Sequence, residues 1–474
     1  MTNKLNRELS NRHIQLIAIG GAIGTGLFLG AGQSISLTGP SILLTYIIVG
    51  FVLFLFMRAM GEMLLANTKY KTFADIAHDQ IGAFAGFVTG WTYWLTWITS
   101  GMAEITAVAK YVEYWVPDLP NWITSLACIL ILMTFNLTST KMFGELEFWF
   151  AIIKVVTILA LIIVGVVMII FAIQTPFGKT SISNIYSNGG LFTHGASGFF
   201  MSFQMVVFSF TGIEILGITA GETRNPHKTI PKAINSVPLR ILLFYVGALA
   251  VMMSIIPWQD IDPNNSPFVS LFALIGVPFA AGLINFVVLT AASSACNSGI
   301  FANSRILFGL SEKGQTHHLL MKTNHRGVPF VAILVTCALL SITVLLNYFI
   351  PNATQVFFYV TAISTILLVV VWMFIMHAYA KYAKSNPNHH KESQFKLPGG
   401  IHTARFVQLF FVFVLLILFI VPDTRMGVVL SPIWFIILGL IYFNYTKKKE
   451  RFNHKLKKKY NKNNFREYNQ SNDY

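Results

Sequence analysis

Apolar residues in this chain come in long unbroken runs, with polar residues confined to short gaps between them, which is the pattern of helices solvated by lipid. A membrane-crossing helix needs about 20 apolar residues. Twelve runs approach that length, near 14–34, 39–60, 84–112, 122–139, 147–172, 196–219, 237–257, 269–300, 329–350, 354–378, 404–421 and 427–446. The prediction is an all-α polytopic membrane protein with twelve transmembrane helices. Between the second and third runs, Phe73, Ile76, Ala77 and Ile81 recur at helical spacing and predict a short helix from Thr72 to Ile81 lying on the membrane face. Two runs carry faults at mid-depth. The first contains Gly20-Gly21-Ala22-Ile23-Gly24-Thr25-Gly26, and the sixth contains Phe208-Ser209-Phe210-Thr211-Gly212-Ile213-Glu214. Gly costs about 1 kcal/mol relative to Ala inside a helix, and unpaired backbone groups at membrane depth are tolerated only where they face protein or a cavity. Both runs are therefore predicted to be broken helices presenting bare backbone to something small and polar.

Composition strengthens that reading. Of 474 residues, 54% are hydrophobic and only 11% charged, with a mean hydropathy of +0.62, whereas a soluble domain carries about 25% charged residues. Little chain remains for a soluble catalytic or output domain. Met1 to His13 is polar and is followed by a full-length apolar run, so no cleavable signal peptide is expected. Cys128, Cys296 and Cys337 all fall in predicted spans, and an odd number of thiols at lipid depth argues against a disulfide framework. His317-His318 and His389-His390 lie in basic loops and read as solvated surface rather than as metal ligands. No phosphate-binding loop is present, and no cofactor is expected.

The net charge of +15 is distributed unevenly. With both ends cytoplasmic, the inner side holds Lys4, Arg7, Arg12, Lys69, Lys71, Lys141, Arg224, Lys228, Lys232, Lys313, Lys322, Arg326, Lys381, Lys384, Lys391, Lys396 and the basic tail, and the outer side only Lys179 and Arg425. The expected setting is thus the cell membrane, multi-pass, with both termini inside. The Lys- and Asn-rich tail, 447–474, has almost nothing apolar to bury and is expected to be disordered against the anionic inner leaflet. Orientation already accounts for a basic end, which disfavours nucleic-acid binding.

Runs one and six are separated by five spans, so halves that begin with them have opposite topologies. Paired interrupted helices in matching positions of inverted halves point to a binding site near the membrane midplane. Repeats near 14–172 and 196–378 are expected, with 404–446 peripheral, inside one transmembrane domain, 14–446, preceded by a cytoplasmic segment, 1–13. Gly20 with Gly24, and Gly26 with Gly30, also match small-xxx-small helix packing. That alternative leaves the fault in the sixth run unexplained. A dinucleotide-binding reading fails for want of a strand before the glycines.

The segment from Asn11 to Phe28, with Glu145-Leu146-Glu147-Phe148-Trp149 through Lys154 and Gly221-Glu222-Thr223-Arg224-Asn225-Pro226 through Asn235, resembles bacterial amino-acid permeases of the amino acid/polyamine/organocation superfamily. The likeness runs to about Asn444. Pro257-Trp258, Ser266-Pro267-Phe268-Val269 and Gly90-Trp91-Thr92-Tyr93-Trp94 are similar to a subgroup carrying small neutral amino acids such as D-alanine, D-serine and glycine. The resemblance implies a LeuT-like 5+5 inverted repeat with helices one and six broken.

An amino acid is a zwitterion, and half-helices offer it both signs without two full charges. A helix N-terminus carries about +0.5 charge and free N–H groups, so Ile23, Thr25 and Gly26 are expected at the carboxylate. Carbonyls at Ala22, Ile23, Phe208, Ser209 and Thr211 are expected at the ammonium, and the family implies the same placement. Phe208 is either a lid over the solute, as the family implies, or a core aromatic. Lys154 lies about two turns into span five, where a charge costs roughly 2.5 to 3.5 kcal/mol. Either it snorkels to the inner surface, or it binds and releases a proton each cycle, the role of the matching lysine in proton-coupled relatives, with Ser293, Ser294 and Asn297 supplying nearby oxygens. Glu214 and Glu104 are the other expensive charges, each a candidate in the proton path or a brace for backbone and hydroxyls. Arg58 and Glu62 are expected to pair along one helix, with Glu222, Arg224, Lys228 and Lys232 as orientation charges. The expected activity is proton-driven import of small neutral amino acids by alternating access, with exchange lacking proton flow, or carriage of other amino acids, as the alternative. An enzyme or sensor would need metal-spaced ligands or a soluble domain, and the sequence offers neither.

Overall fold

The computed structural model describes residues 23–444 except 69, 71, 139, 216–224, 275–278 and 423, and its architecture is helical. The chain divides into two units, 1–429 and 430–474, and all the packing below lies within the first. In chain order the first helices are α1 (Thr25–Phe28), α2 (Gly30–Thr38), α3 (Ile42–Ala66), α4 (Phe73–Gln80), α5 (Ala83–Glu113), α6 (Asn121–Thr138) and α7 (Thr140–Ile170). A small antiparallel hairpin follows, β1 (Gln174–Thr175) with β2 (Gly178–Lys179), Thr175 opposite Gly178. Then come α8 (Gly195–Met201), α9 (Phe203–Ser209), α10 (Pro226–Asn235), α11 (Val237–Arg240), a π-helical segment over Ile241–Gly247, α12 (Ala248–Ile255), α13 (Pro267–Ala273) and α14 (Ala280–Glu312). The last are α15 (Phe330–Leu340), α16 (Ile342–Phe349), α17 (Ala353–Ser385), α18 (Pro387–Glu392), α19 (Gly400–Ile420) and α20 (Thr424–Asn444).

Nine helical runs among the described residues are long and apolar enough to cross a membrane. The difference from twelve apolar stretches has local causes. Runs one and two join into a single stretch, Gly30–Ala66, because α2 passes into α3 through a tight turn at Gly39-Pro40-Ser41, where Gly39 takes φ 64°. Helix α5 is 31 residues long, but its Thr, Ser and Gly residues lower its hydropathy. The sixth run is split into α8 and α9, each of seven residues.

Helix α5 lies at the centre and packs along both α14 and α17. Its buried faces are rich in small and hydroxylated residues, which let helix backbones approach closely. Some of their hydroxyls are satisfied within the helix, Thr96 Oγ1 donating to the Thr92 carbonyl (2.9 Å) and Thr106 Oγ1 to that of Met102 (2.9 Å), while Ser100 meets Ser364 across the interface. Cys128, Cys296 and Cys337 are buried and unbridged.

The predicted short helix is present as α4, opened by the Thr72 amide donating to Asp75 Oδ2 (2.8 Å). Its apolar residues Phe73, Ile76 and Ala77 are buried against α5 and α17. That face meets protein, where a membrane-surface helix would turn it to lipid.

Arg58 and Glu62 do not form the direct pair expected of them. Arg58 donates to Asn235 Oδ1 (3.1 Å) and the Lys396 carbonyl (2.6 Å), and its guanidinium lies 4.0 Å over the Phe395 ring. Glu62, fully buried, instead accepts from the Tyr379 hydroxyl (2.7 Å) and the Leu397 amide (2.7 Å) and pairs with His390 Nδ1 (2.6 Å). His390 therefore belongs to an interior clasp and not to solvated surface. The pairing changes because tertiary partners meet the carboxylate head-on, whereas an i,i+4 neighbour must reach along the helix surface. Glu62→Ala would strand these donors, and an unmet buried group costs about 1 to 3 kcal/mol. The expected outcome is a clear drop in thermal melting temperature in detergent, with only a small drop for Arg58→Lys.

Candidate functional site

Gly24 is extended (φ −131°, ψ −163°) and α1 begins immediately after it. The first intrahelical bonds run back to the Gly24 carbonyl from Leu27 (3.2 Å) and Phe28 (3.3 Å), so the amides of Thr25 and Gly26 precede them at the positive end of the helix. Chain continuity from α1 into α2 is kept by the Leu29 amide bonding to the Thr25 carbonyl (2.8 Å).

The break in span six has the opposite sense, since α9 ends at Ser209 and the backbone then turns through Phe210 to Glu214. Gly212 sits at φ 99°, a conformation that side chains resist, which is the local reason for glycine there. The Glu214 carboxylate folds back onto this turn. It accepts from the Gly212 amide (3.3 Å to Oε1, 3.2 Å to Oε2) and from the Tyr93 hydroxyl (3.2 Å), and the side chain is fully buried.

Gly26 lets the head of α1 meet the end of α9 closely. A Cβ on Gly26 would lie 2.6 Å from both Cα and Oγ of Ser209. Ser209 is fixed in turn, its hydroxyl 3.1 Å from that of Tyr46 and its carbonyl accepting from Tyr245 (3.1 Å), which the π-helical segment carries. The carbonyls expected to be free are thus partly engaged: Ser209 by Tyr245, and Phe208 by the Thr211 amide (2.8 Å). The buried hydroxyls of Thr25 and Thr211 have no hydrogen-bond partner.

Around these stubs lies a cavity. Gly26, Phe208, Ser209, Thr211, Lys154 and Glu104 all line it, drawn from four separate parts of the chain. Ile23 and Thr25 are buried but do not line it, Glu214 braces the turn behind it, and Ala22 lies outside the described residues. The Phe208 ring packs edge-on against Phe357, centroids 6.0 Å apart.

Apart from Glu104 and Ser294, the remaining wall comes from residues that reading the sequence by motif passed over. Trp97, Ser100, Gly101 and Glu104 line the cavity from α5 at spacings of three, four and seven. That is one helical face, and the periodicity centred on Glu104 was the available signal. Ser294, Ala295 and Ser298 supply the α14 side.

Lys154 is 1% exposed, so it does not snorkel to the surface. Its Nζ donates to Ser294 Oγ (3.1 Å). Asn297 stands nearby, whereas the Ser293 hydroxyl turns away to the Leu289 carbonyl (3.0 Å). Glu104 faces the Thr25 amide and hydroxyl and lies within electrostatic reach of Lys154. Its Oε2 is buried with no hydrogen-bond partner, while its Oε1 lies 3.2 Å from where a Cβ on Gly24 would stand.

Many apolar helices around a buried cavity that Lys154, Glu104 and several hydroxyls reach, with helix ends supplying part of its wall, define the class as a multi-pass membrane transport protein. The chain belongs to the amino acid permease family, whose model, described as Amino acid permease, matches residues 13–455. It is 50% identical over 437 residues to the D-serine/D-alanine/glycine transporter of Escherichia coli strain K12, covering 92% of this chain and 93% of that one. It is 48% identical over 454 residues to the amino-acid permease AapA of Bacillus subtilis, covering 96% and 97%. The aromatic amino acid transport protein AroP of Escherichia coli O6:H1 is 42% identical over 441 residues, covering 93% and 95%. The protein is accordingly an amino acid transporter and not an enzyme.

Proposed function

We propose that the chain imports small neutral amino acids, D-alanine, D-serine and glycine among them, by proton symport and alternating access. The observation that carries this reading is the single cavity shared by the head of α1, the end of α9 and the buried Lys154. The solute carboxylate docks at the positive end of α1, near the amides of Thr25 and Gly26. The ammonium docks toward the end of α9, where Thr211 offers an unpartnered hydroxyl and each backbone carbonyl retains a second lone pair.

Size selection has a physical basis in the walls. Gly24, Gly101, Ser100, Ala295 and Ser298 let a solute backbone come close, while the Trp97 and Phe208 rings limit the room for its side chain. A relative of similar length and 50% identity is named for D-serine, D-alanine and glycine.

The wider frame is a LeuT-like pair of inverted repeats, 14–172 and 196–378, with twelve spans in a domain over 14–446 and both termini cytoplasmic. The basic tail, 447–474, expected against anionic lipid, lies outside the described residues. Lys154 and Glu104 carry the coupling proton and Glu214 steadies the hinge. One proton crossing 100 mV supplies roughly 2.3 kcal/mol, enough for a gradient of about fiftyfold.

The test is uptake of radiolabelled glycine into proteoliposomes, with and without an inward proton gradient, against unlabelled D- and L-forms of alanine and serine. Gradient-dependent accumulation competed by D-alanine and D-serine is expected. Equal uptake with and without the gradient points to exchange, and competition by large side chains only would overturn the size assignment.

A further inference from the structure

Glu147 lies on α7, seven residues from Lys154, two helical turns or about 10.5 Å along the axis and nearer the end of α7 that begins at Thr140. It is 4% exposed and its carboxylate is held on both oxygens, by the Ser294 hydroxyl at Oε2 (2.7 Å) and by Asn297 Nδ2 at Oε1 (2.9 Å). Asn297 is itself oriented by Asn136 Nδ2 donating to its Oδ1 (2.7 Å). Since Ser294 Oγ also accepts from Lys154 Nζ (3.1 Å), one hydroxyl joins the buried amine to a buried carboxylate, with every donor and acceptor in the right sense.

We propose that Glu147 is the group that exchanges the coupling proton with Lys154, with Ser294 as the bridge; this deepens the symport reading and rests on it. In the charged arrangement the Lys154 ammonium donates to Ser294 and Ser294 donates to the Glu147 carboxylate. Transfer breaks one N–H bond of Lys154 and forms an O–H bond on Ser294. The original Ser294 proton passes to Glu147, leaving a neutral amine, an intact hydroxyl and a carboxylic acid. The pair has no net charge before or after, so the proton crosses one hydroxyl from amine to carboxylate without an isolated charge appearing in a dry interior, where it would be costly. Protonated Glu147 then delivers toward the Thr140 end of α7, which the positive-inside pattern assigns to the cytoplasm.

The other titratable groups facing the pair are Glu104 from α5, which interacts with Lys154, and Cys296 from α14, which interacts with both carboxylates. Glu104 sits on the cavity wall and Glu147 does not, which separates a carboxylate that meets solute from one that meets only the proton. Glutamine keeps the shape but only one acceptor, and its NH2 must face Ser294 or Asn297, so a purely packing role would lower folding and counterflow together with accumulation and leave their ratio unchanged. That difference makes the assignment testable.

The experiment uses the full chain in proteoliposomes with radiolabelled glycine, reading gradient-driven accumulation and gradient-free counterflow on the same preparation. For Glu147→Gln the ratio of accumulation to counterflow is expected to fall at least tenfold, and Glu147→Asp is expected to recover part of it. Ser294→Ala should lower the same ratio and Ser294→Thr restore it, which keeps the test decisive if Glu147→Gln does not fold. A ratio within twofold of wild type in Glu147→Gln or in Ser294→Ala overturns the proposal. Wild-type chain that fails to accumulate under the gradient overturns the symport reading and this one with it, whereas wild-type accumulation retained by Glu147→Gln overturns this one alone.

Discussion

Gly26→Val is expected to reduce glycine uptake by on the order of 100-fold or more, because misplacement of a binding element by about 1 Å can cost that much. Even the first carbon of a side chain would lie 2.6 Å from the Ser209 Cα, so a backbone would have to move and not merely a rotamer. Ser209 resists displacement because Tyr46 holds its hydroxyl and Tyr245 its carbonyl. The break therefore has to open, and opening separates the carboxylate and ammonium positions of the proposed site. Overpacking of this kind also costs about 1 to 3 kcal/mol of stability, so Gly26→Ala should be intermediate in both respects. Equilibrium binding of radiolabelled glycine to purified protein, alongside its melting temperature, checks this. Unaltered affinity in Gly26→Val would remove the α1 and α9 ends from the solute site.

Lys154→Ala should abolish gradient-driven accumulation, taking an expected ratio near fifty in wild type down to about one, since the driving force is roughly 2.3 kcal/mol per proton per 100 mV. Counterflow should fall less, because the backbone contacts proposed for the zwitterion remain. Lys154→Arg is the sharper variant. Guanidinium stays protonated under all ordinary conditions, so it keeps the charge but cannot release the proton, and accumulation should stay absent. Accumulation surviving in either variant would dismiss Lys154 as the proton carrier. Some loss of stability in Lys154→Ala is expected, because Glu147 and Glu104 lose a buried cation.

A helical membrane body and a fault in span six are legible from residue type alone, because lipid solvation demands apolar length and a mid-membrane Gly or Thr stands out against it, whereas amino acid transport is legible only through the family resemblance. At Gly212 the inference goes down to a single dihedral, for a polar turn at that depth needs a residue that accepts φ 99°. The α5 wall is legible only in part. Glu104 announces itself as a charge, but Trp97, Ser100 and Gly101 join it through helical periodicity and carry no chemical flag of their own.

Partner choice is a different matter. Glu62 is four residues from Arg58 in sequence yet takes Tyr379, His390 and Leu397, and Lys154 finds Ser294 at a separation of 140 residues. The sequence by itself determined the solvent, the helices and the polar, glycine-bearing positions where α1 begins and α9 ends, since these follow from transfer energies and backbone preferences that act residue by residue. Only the tertiary structure decided that Gly26 abuts Ser209 and that Glu147 reaches Lys154 through one hydroxyl. Such contacts depend on how helices distant in sequence rotate and approach, and no local preference encodes that.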